Sequence, residues 1–275
     1  MDHVIWLGGG CGSGKSSIAR ELAHRLDLVL YATDAHTWEH WRRRGAPELG
    51  SGDDRWLRTP PEELASQFVG GSHEVLPLIL EDLDALRGGP LVLAEGPQLL
   101  PELVAPHLAA AGHGLWLLPT AEFQRFALGR RGGPDGASDR ERALDNRLAR
   151  DAILNAVIQG QAAGLGLPLL EVDGSRTLPE MMDAVADHFA ARIVAGPRAR
   201  DGAEHRRIRR RENAGIHGNL CSLRAHFDLA EPPVFDFACE CGTLGCRERV
   251  LLTIDEYGAA LEPPERHVVA PEHAG

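Results

Sequence analysis

Residues Gly9-Gly10-Cys11-Gly12-Ser13-Gly14-Lys15-Ser16 match Gly-x-x-x-x-Gly-Lys-Ser/Thr, between the apolar run Val4 to Leu7 and a segment of helical periodicity that starts at residue 15. Few patterns constrain a fold as much. The chain has to leave a strand, curl so that successive backbone N–H groups face a phosphate, and enter a helix whose positive end adds to the attraction. The nucleotide-contacting segment is then Gly9 to Ser17. Lys15 reaches the β- and γ-phosphates, and the Ser16 hydroxyl is offered to Mg²⁺. Cys11 reads as a small, tolerated loop residue.

The rest of the first two-thirds of the chain has the rhythm such a loop demands. Short apolar runs near 3–8, 28–33, 90–95, 114–118 and 167–172 read as strands buried on both faces. Helical periodicity covers 15–26, 61–69, 73–87, 99–111, 120–130, 139–162 and 178–194. Residues 42–60 and the Gly/Pro-rich stretch Gly129 to Gly136 read as surface loops, the second as a lid. This is an α/β chain with five strands in one parallel sheet. After Ala195 the composition turns to Gly, Pro and Arg, which divides the sequence into residues 1–196 and a smaller module, 197–275.

The motif alone leaves several nucleotide enzymes open, and absences narrow them. No Asn-Lys-x-Asp guanine-reading segment and no Leu-Ser-Gly-Gly-Gln stretch occurs. The second strand runs into Thr33-Asp34 and the third ends at Glu95, so two carboxylates fall at the sheet edge that carries the phosphate loop. Asp34 can accept the proton of an attacking hydroxyl or hold Mg²⁺ through water, and its plain alternative is a helix cap. Glu95 is a second Mg²⁺ candidate beside Ser16. Seven arginines, from Arg125 to Arg150, surround the lid. Two of them are expected on the transferring phosphoryl group, with Arg130 and Arg131 favoured by their loop position. The turn Asp173 to Thr177 falls where an adenine ring could rest.

Cys239-Glu240-Cys241-Gly242-Thr243-Leu244-Gly245-Cys246 sets three thiols on one turn-rich hairpin. Three soft ligands on so short a segment point to Zn²⁺, with His273 preferred as the fourth ligand and His267 and Cys221 as alternatives. A short helix is expected over 254–261. Between the two modules, Arg198 to Arg211 carries seven arginines. No aromatic residue interleaves for base stacking, so this run reads as a solvated linker helix, and nucleic-acid contact is the less favoured alternative.

Charge and cysteine usage fit this picture. The 275 residues carry a net charge of −11, against a protein that coats nucleic acid or anionic membrane. No apolar stretch approaches the about 18 residues of a membrane span, the N-terminus has no basic leader, and the five cysteines are an odd number. A reduced, cytoplasmic setting without a membrane partner is expected.

On the Gly9 to Ser16 loop, Asp34 after the second strand and the arginine-bearing loop after the fourth, residues 3 to about 195 resemble the nucleoside-monophosphate-kinase-like P-loop phosphotransferases. That group holds adenylate, shikimate and gluconate kinases and chloramphenicol phosphotransferase. The resemblance implies a sheet of order 2-3-1-4-5, ATP with Mg²⁺ as donor, a hydroxyl or phosphate acceptor, a closing lid, and an acceptor-binding or base role for Asp34. Residues 40–70 offer Arg42, Arg43, Arg44, Arg55 and Arg58, with no clear monophosphate-binding set among them. The whole chain is also similar to actinobacterial P-loop proteins with a Cys-rich tail, whose Cys-x-Cys-x₄-Cys segment is followed by a terminal Pro-Gly-His-like end, here Pro271-Glu272-His273. The expected activity is transfer of the ATP γ-phosphoryl group to a small hydroxylated metabolite or nucleotide-like acceptor. The rival is a regulatory ATPase whose tail binds RNA or a protein partner.

Overall fold

The computed structural model describes residues 1–45, 50–130, 134, 136–227, 230–262 and 266–273. Strand β1 (Val4–Gly9) is buried along its whole length and runs through the phosphate loop into α1 (Lys15–Arg25). Strand β2 (Val29–Ala32) follows, then a 3₁₀ turn (Thr33–His36), α2 (Thr37–Arg43), a helical turn (Asp54–Arg58) and the 24-residue α3 (Pro61–Asp84). Next come β3 (Val92–Glu95), α4 (Pro101–Val104), β4 (Gly114–Pro119), α5 (Ala121–Gly129), α6 (Arg140–Leu165), β5 (Leu169–Val172) and α7 (Leu178–Ala195). The tail adds α8 (Gly202–Phe227), β6 (Val234–Ala238), β7 (Arg249–Thr253) and α9 (Ile254–Ala260).

Strands β1 to β5 form one parallel sheet in the order β2-β3-β1-β4-β5. Alternation along β1 sends Val4 and Trp6 to one face, against α3 and α4, and Ile5 and Leu7 to the other, against α1 and α7. The register sets Leu7 beside Glu95, and Glu95 beside Ala32. The ends of β1, β2 and β3 therefore open on one edge. No helix among the described residues is long and apolar enough to cross a membrane.

Three segments differ from the sequence reading. Residues 61–69 and 73–87 join into α3, because Leu64, Ile79 and Leu83 bury one continuous face and outweigh the about 1 kcal/mol that each of Gly70 and Gly71 costs inside a helix. The helix expected over 99–111 is only the short α4 with 3₁₀ turns at Ala105–His107 and Ala111–His113, since the ring of Pro106 cannot continue an α-helix. Segment 42–60 is helical at both ends, with α2 reaching Arg43 and a turn at Asp54–Arg58.

The run Arg198 to Arg211 is not a solvated linker. It enters α8, which packs against β2, α2 and the 3₁₀ turn and leaves Arg209 fully buried. Arg209 donates to the Ala23 and Leu28 carbonyls, at and just past the C-terminal end of α1, where helical partners run out, and it pairs with Glu212. The burial is tolerated because each charge meets its opposite. Glu212 also receives His24 Nε2 at 2.8 Å and lies 3.3 Å from Arg20 Nε, and Arg20 binds Asp236 of β6 at 2.8 Å. Strands β6 and β7 pair as an antiparallel hairpin with α9 behind it.

Candidate nucleotide and metal sites

The loop after β1 has the conformation its glycines permit. Gly14 caps α1 at φ +82°, and Gly9 sits at φ +128°, where a Cβ would fall 2.1 Å from the Leu117 carbonyl oxygen. Inside this turn Lys15 is buried, its Nζ 3.5 Å from the Gly10 carbonyl oxygen. Ser16 Oγ donates to Glu95 Oε2 at 3.1 Å. Glu95 is buried, and burial pushes its carboxyl up to about 7 against the pull of Lys15. A hydroxyl and a hard carboxylate oxygen side by side are donors that suit Mg²⁺. Asp34 stands exposed in the 3₁₀ turn after β2, close enough to Glu95 for its charge to help raise that carboxyl. Cys11 gives its carbonyl to Gln124 Nε2 at 2.7 Å, and Gln124 in turn accepts from Asn155 Nδ2 of α6 at 3.2 Å.

That last contact brings α6 to the loop, since Asn155 Oδ1 lies 2.3 Å from where a Gly10 Cβ would stand. One turn earlier on the same face is Asp151, buried, with Arg150 beside it. Arg150 and Arg147 lie 5.1 and 5.9 Å from the ring centroid of Trp56, and Arg55 packs on the same ring at 4.9 Å. Three guanidiniums thus gather round one indole, and two of them, Arg147 and Arg150, have Asp151 as their close carboxylate. Arg147 and Arg150 were among the lid candidates of the sequence. Arg55 and Trp56 were missed as a site because they lie in a segment without periodicity, where an aromatic flanked by arginines was the available signal. Arg130 is exposed, its guanidinium 5.7 Å from the Phe126 ring centroid, and Arg131 lies outside the described residues. The turn at Asp173 packs against α5, a Gly174 Cβ position falling 2.9 Å from the Phe123 ring.

The ligand atoms of Cys239, Cys241, Cys246 and His273 all lie within 4.8 Å of one another. His273 Nδ1 is 3.6 Å from Cys239 Sγ and 3.5 Å from Cys246 Sγ. Ligands on a tetrahedron around zinc stand roughly 3.3–3.8 Å apart, so this donor set fits that ion. Backbone N–H groups of Ala270 and Thr243 point at two of the sulfurs. His267 turns instead to Glu240 at 3.5 Å, and Cys221 lies 3.5 Å from His217. Of the tail arginines, Arg206 donates to the Cys241 carbonyl and Arg210 to Glu240, so with Arg209 three of the seven point into the molecule.

A parallel sheet of order 2-3-1-4-5 whose central strand passes through a Gly-x₄-Gly-Lys-Ser loop into a helix is the P-loop nucleotide-binding fold. Among solved structures, shikimate kinase from Acinetobacter baumannii in complex with shikimate is similar at 16% identity, with a TM-score of 0.41, covering 68% of this chain and 93% of that one. TT1252 from Thermus thermophilus is similar at 24% identity, with a TM-score of 0.38, covering 67% of this chain and 96% of that one. No family model matches the sequence, and no curated protein does.

Proposed function

We propose that this chain is an ATP-dependent phosphotransferase that moves the γ-phosphoryl group to a small hydroxylated acceptor. The observation that carries the reading is the Ser16–Glu95 contact beside buried Lys15, in a phosphate loop whose Gly10 lies against Asn155 of α6. Backbone N–H groups of the loop and Lys15 hold the β- and γ-phosphates. Ser16 and Glu95 would hold Mg²⁺, which neutralises charge on the transferring group. The acceptor oxygen attacks phosphorus, the bond to the ADP oxygen breaks, and Asp34 takes the hydroxyl proton. Arg130 and Arg131 on the lid would stabilise the equatorial oxygens. Cys239, Cys241, Cys246 and His273 would hold Zn²⁺ as a staple of the tail. The inward engagement of Arg206, Arg209 and Arg210 favours this reading over an RNA-binding switch.

Incubation with γ-labelled ATP, Mg²⁺ and a metabolite extract tests it. Label is expected in a new small molecule. Lys15→Ala should lower turnover at least ~100-fold, and Asp34→Asn roughly 10²–10⁴-fold while ATP still binds. Label found only in inorganic phosphate, at a rate that Asp34→Asn leaves unchanged, overturns the assignment.

A further inference from the structure

Helix α8 gives the molecule a wall that the sheet and its own helices do not supply. Between it and the edge strand β2 lies a cavity of about 610 Å³, the size of a small-metabolite site. Its inner end is Ser16 and Glu95, so it opens directly onto the phosphate loop, and its outer end is Ala85 and Leu86, where α3 finishes. Gly215 of α8 stands against His36 on its lining, a Cβ position there falling 3.4 Å from the ring.

The chemistry of the lining is one-sided. Tyr31 and His36 stack with ring centroids 4.6 Å apart and planes within 10°. The Tyr31 hydroxyl is engaged with Asp82 at 2.8 Å, and burial holds His36 below the ordinary histidine range, so the pair is an uncharged aromatic wall at neutral pH. Carboxylates outnumber guanidiniums five to three along the cavity, and with Glu81, Asp82 and Glu212 held by arginines, Glu39 and Glu95 are the two without a guanidinium in hydrogen-bond reach. Two of those guanidiniums are already engaged, Arg43 with Asp82 and Glu81, and Arg20 with Asp236 and Glu212. Arg211, exposed on α8, is the third guanidinium of the lining. Glu39, by contrast, has its nearest cation, Arg43 Nη1, and the neutral His36 Nδ1 both at 3.7 Å, beyond hydrogen-bond reach. A hydroxy acid or a nucleoside monophosphate would bring another anion to Glu39 and Glu95. A protonated amine meets an aromatic wall and a carboxylate with room for a partner, the combination that recognises ammonium groups.

We propose that this cavity holds the phosphoryl acceptor, and that the acceptor is a hydroxylated amine, an amino alcohol or amino sugar. Its ammonium group pairs with Glu39 beside the Tyr31–His36 stack, and its hydroxyl turns to the Ser16–Glu95 end. The inference deepens the phosphotransfer reading and rests on it for the hydroxyl, though not for the amine.

The test is calorimetric binding to the full chain loaded with Mg²⁺ and a non-hydrolysable ATP analogue, using glucosamine, serinol, sorbitol, gluconate and adenosine monophosphate, followed by label transfer from ATP. The two amines should bind more tightly than the three others. Glu39→Gln should weaken the amines ~10-fold, the loss of one charged contact, and leave sorbitol unchanged. Gly215→Leu favours the helix and grows a side chain toward His36 from a Cβ position 3.4 Å from its ring, so it should abolish amine binding while ATP affinity stays as it was. Tighter binding of gluconate or adenosine monophosphate overturns the proposal, as does amine binding indifferent to both variants, or no binding by either amine. Amine binding sensitive to the variants without label transfer upholds the cavity and removes the phosphotransfer reading. Label on gluconate alone does the reverse.

Discussion

Along β1 every residue from Val4 to Gly9 is buried and none carries a charge, whereas along α8 the buried positions are Glu204, His205, Ile208, Arg209, Glu212 and Asn213. The sheet is held by apolar area, at about 25 cal/mol per Å² removed from water. Helix α8 is held to the same body by ion pairs and hydrogen bonds, with Ile208 its buried apolar anchor. These two ways of burying chain fail differently. An apolar contact loses stability in proportion to the atoms removed, while a buried charge set becomes a penalty as soon as one member is missing.

The sharpest break of this comparison is at the metal cluster, because the hairpin beyond α8 buries only small apolar groups and leans on ion pairs such as Arg20–Asp236 and Arg210–Glu240. Its apolar contents are the group Phe237, Tyr257 and Val268 and the smaller one of Cys239, Cys246 and Ala270. A bound structural zinc contributes on the order of 10 kcal/mol to such modules. Purified protein is expected to carry about one zinc per chain by elemental analysis. Chelation, or Cys241→Ser, should open residues 234–273 to limited proteolysis and change ATP affinity less than ~10-fold, since the sheet keeps its own core. A metal-free tail that resists protease shows instead that the two small apolar groups suffice.

Next in size is the charge set itself. Glu212→Gln removes the carboxylate from among Arg20, His24 and Arg209, and unfolding in urea should show a loss of about 3–5 kcal/mol. Replacing the pair together, Arg209→Met with Glu212→Leu, should recover part of that loss, because a well-packed apolar pair avoids the desolvation that the ions suffer. A double variant no better than the single one points to the hydrogen bonds from Arg209 to the Ala23 and Leu28 carbonyls as the real anchor.

The same contrast decides what could be read in advance. The loop Gly9 to Ser16, the strands and most helix ends were legible because apolar period and glycine chemistry are local, and Glu95 was placed at the sheet edge simply as the last residue of an apolar run. The cluster of Cys239, Cys241, Cys246 and His273 was legible in its three cysteines by spacing. Helix α8 was not, because a run of arginines looks solvated until its partners are known. His24 and Glu212 stand 188 residues apart in sequence, and no local pattern joins them. Arg55 and Trp56 escaped for a related reason, since their neighbours Arg147 and Arg150 arrive on α6 only after the chain has crossed the sheet.

The smallest expected effect gives the charge set a pH axis. Burial alone would raise the Glu212 carboxyl, but its contacts with His24, Arg209 and Arg20 outweigh that and hold it at about 2, against 4.5 for a free side chain. His24, buried between the two arginines, is itself held below the usual histidine range, so at neutral pH the permanent charges are those of Arg20 and Arg209. The unfolded chain therefore takes up this proton before the native one does. The stabilisation is whole above pH 4.5 and is lost as pH falls from there through about 2, to a total of about 3 kcal/mol. Other carboxylates titrate over the same range, Asp236 on the far side of Arg20 among them, so the informative quantity is a difference between two proteins. Unfolding in urea, measured for the natural chain and for Glu212→Gln from pH 5 to 3.5, below the ordinary histidine range where loss of Glu212 also depresses His24, should give a stability gap that narrows as pH falls. A gap that stays constant to pH 3.5 means that hydrogen-bond geometry at Glu212, and not its charge, ties α8 to α1.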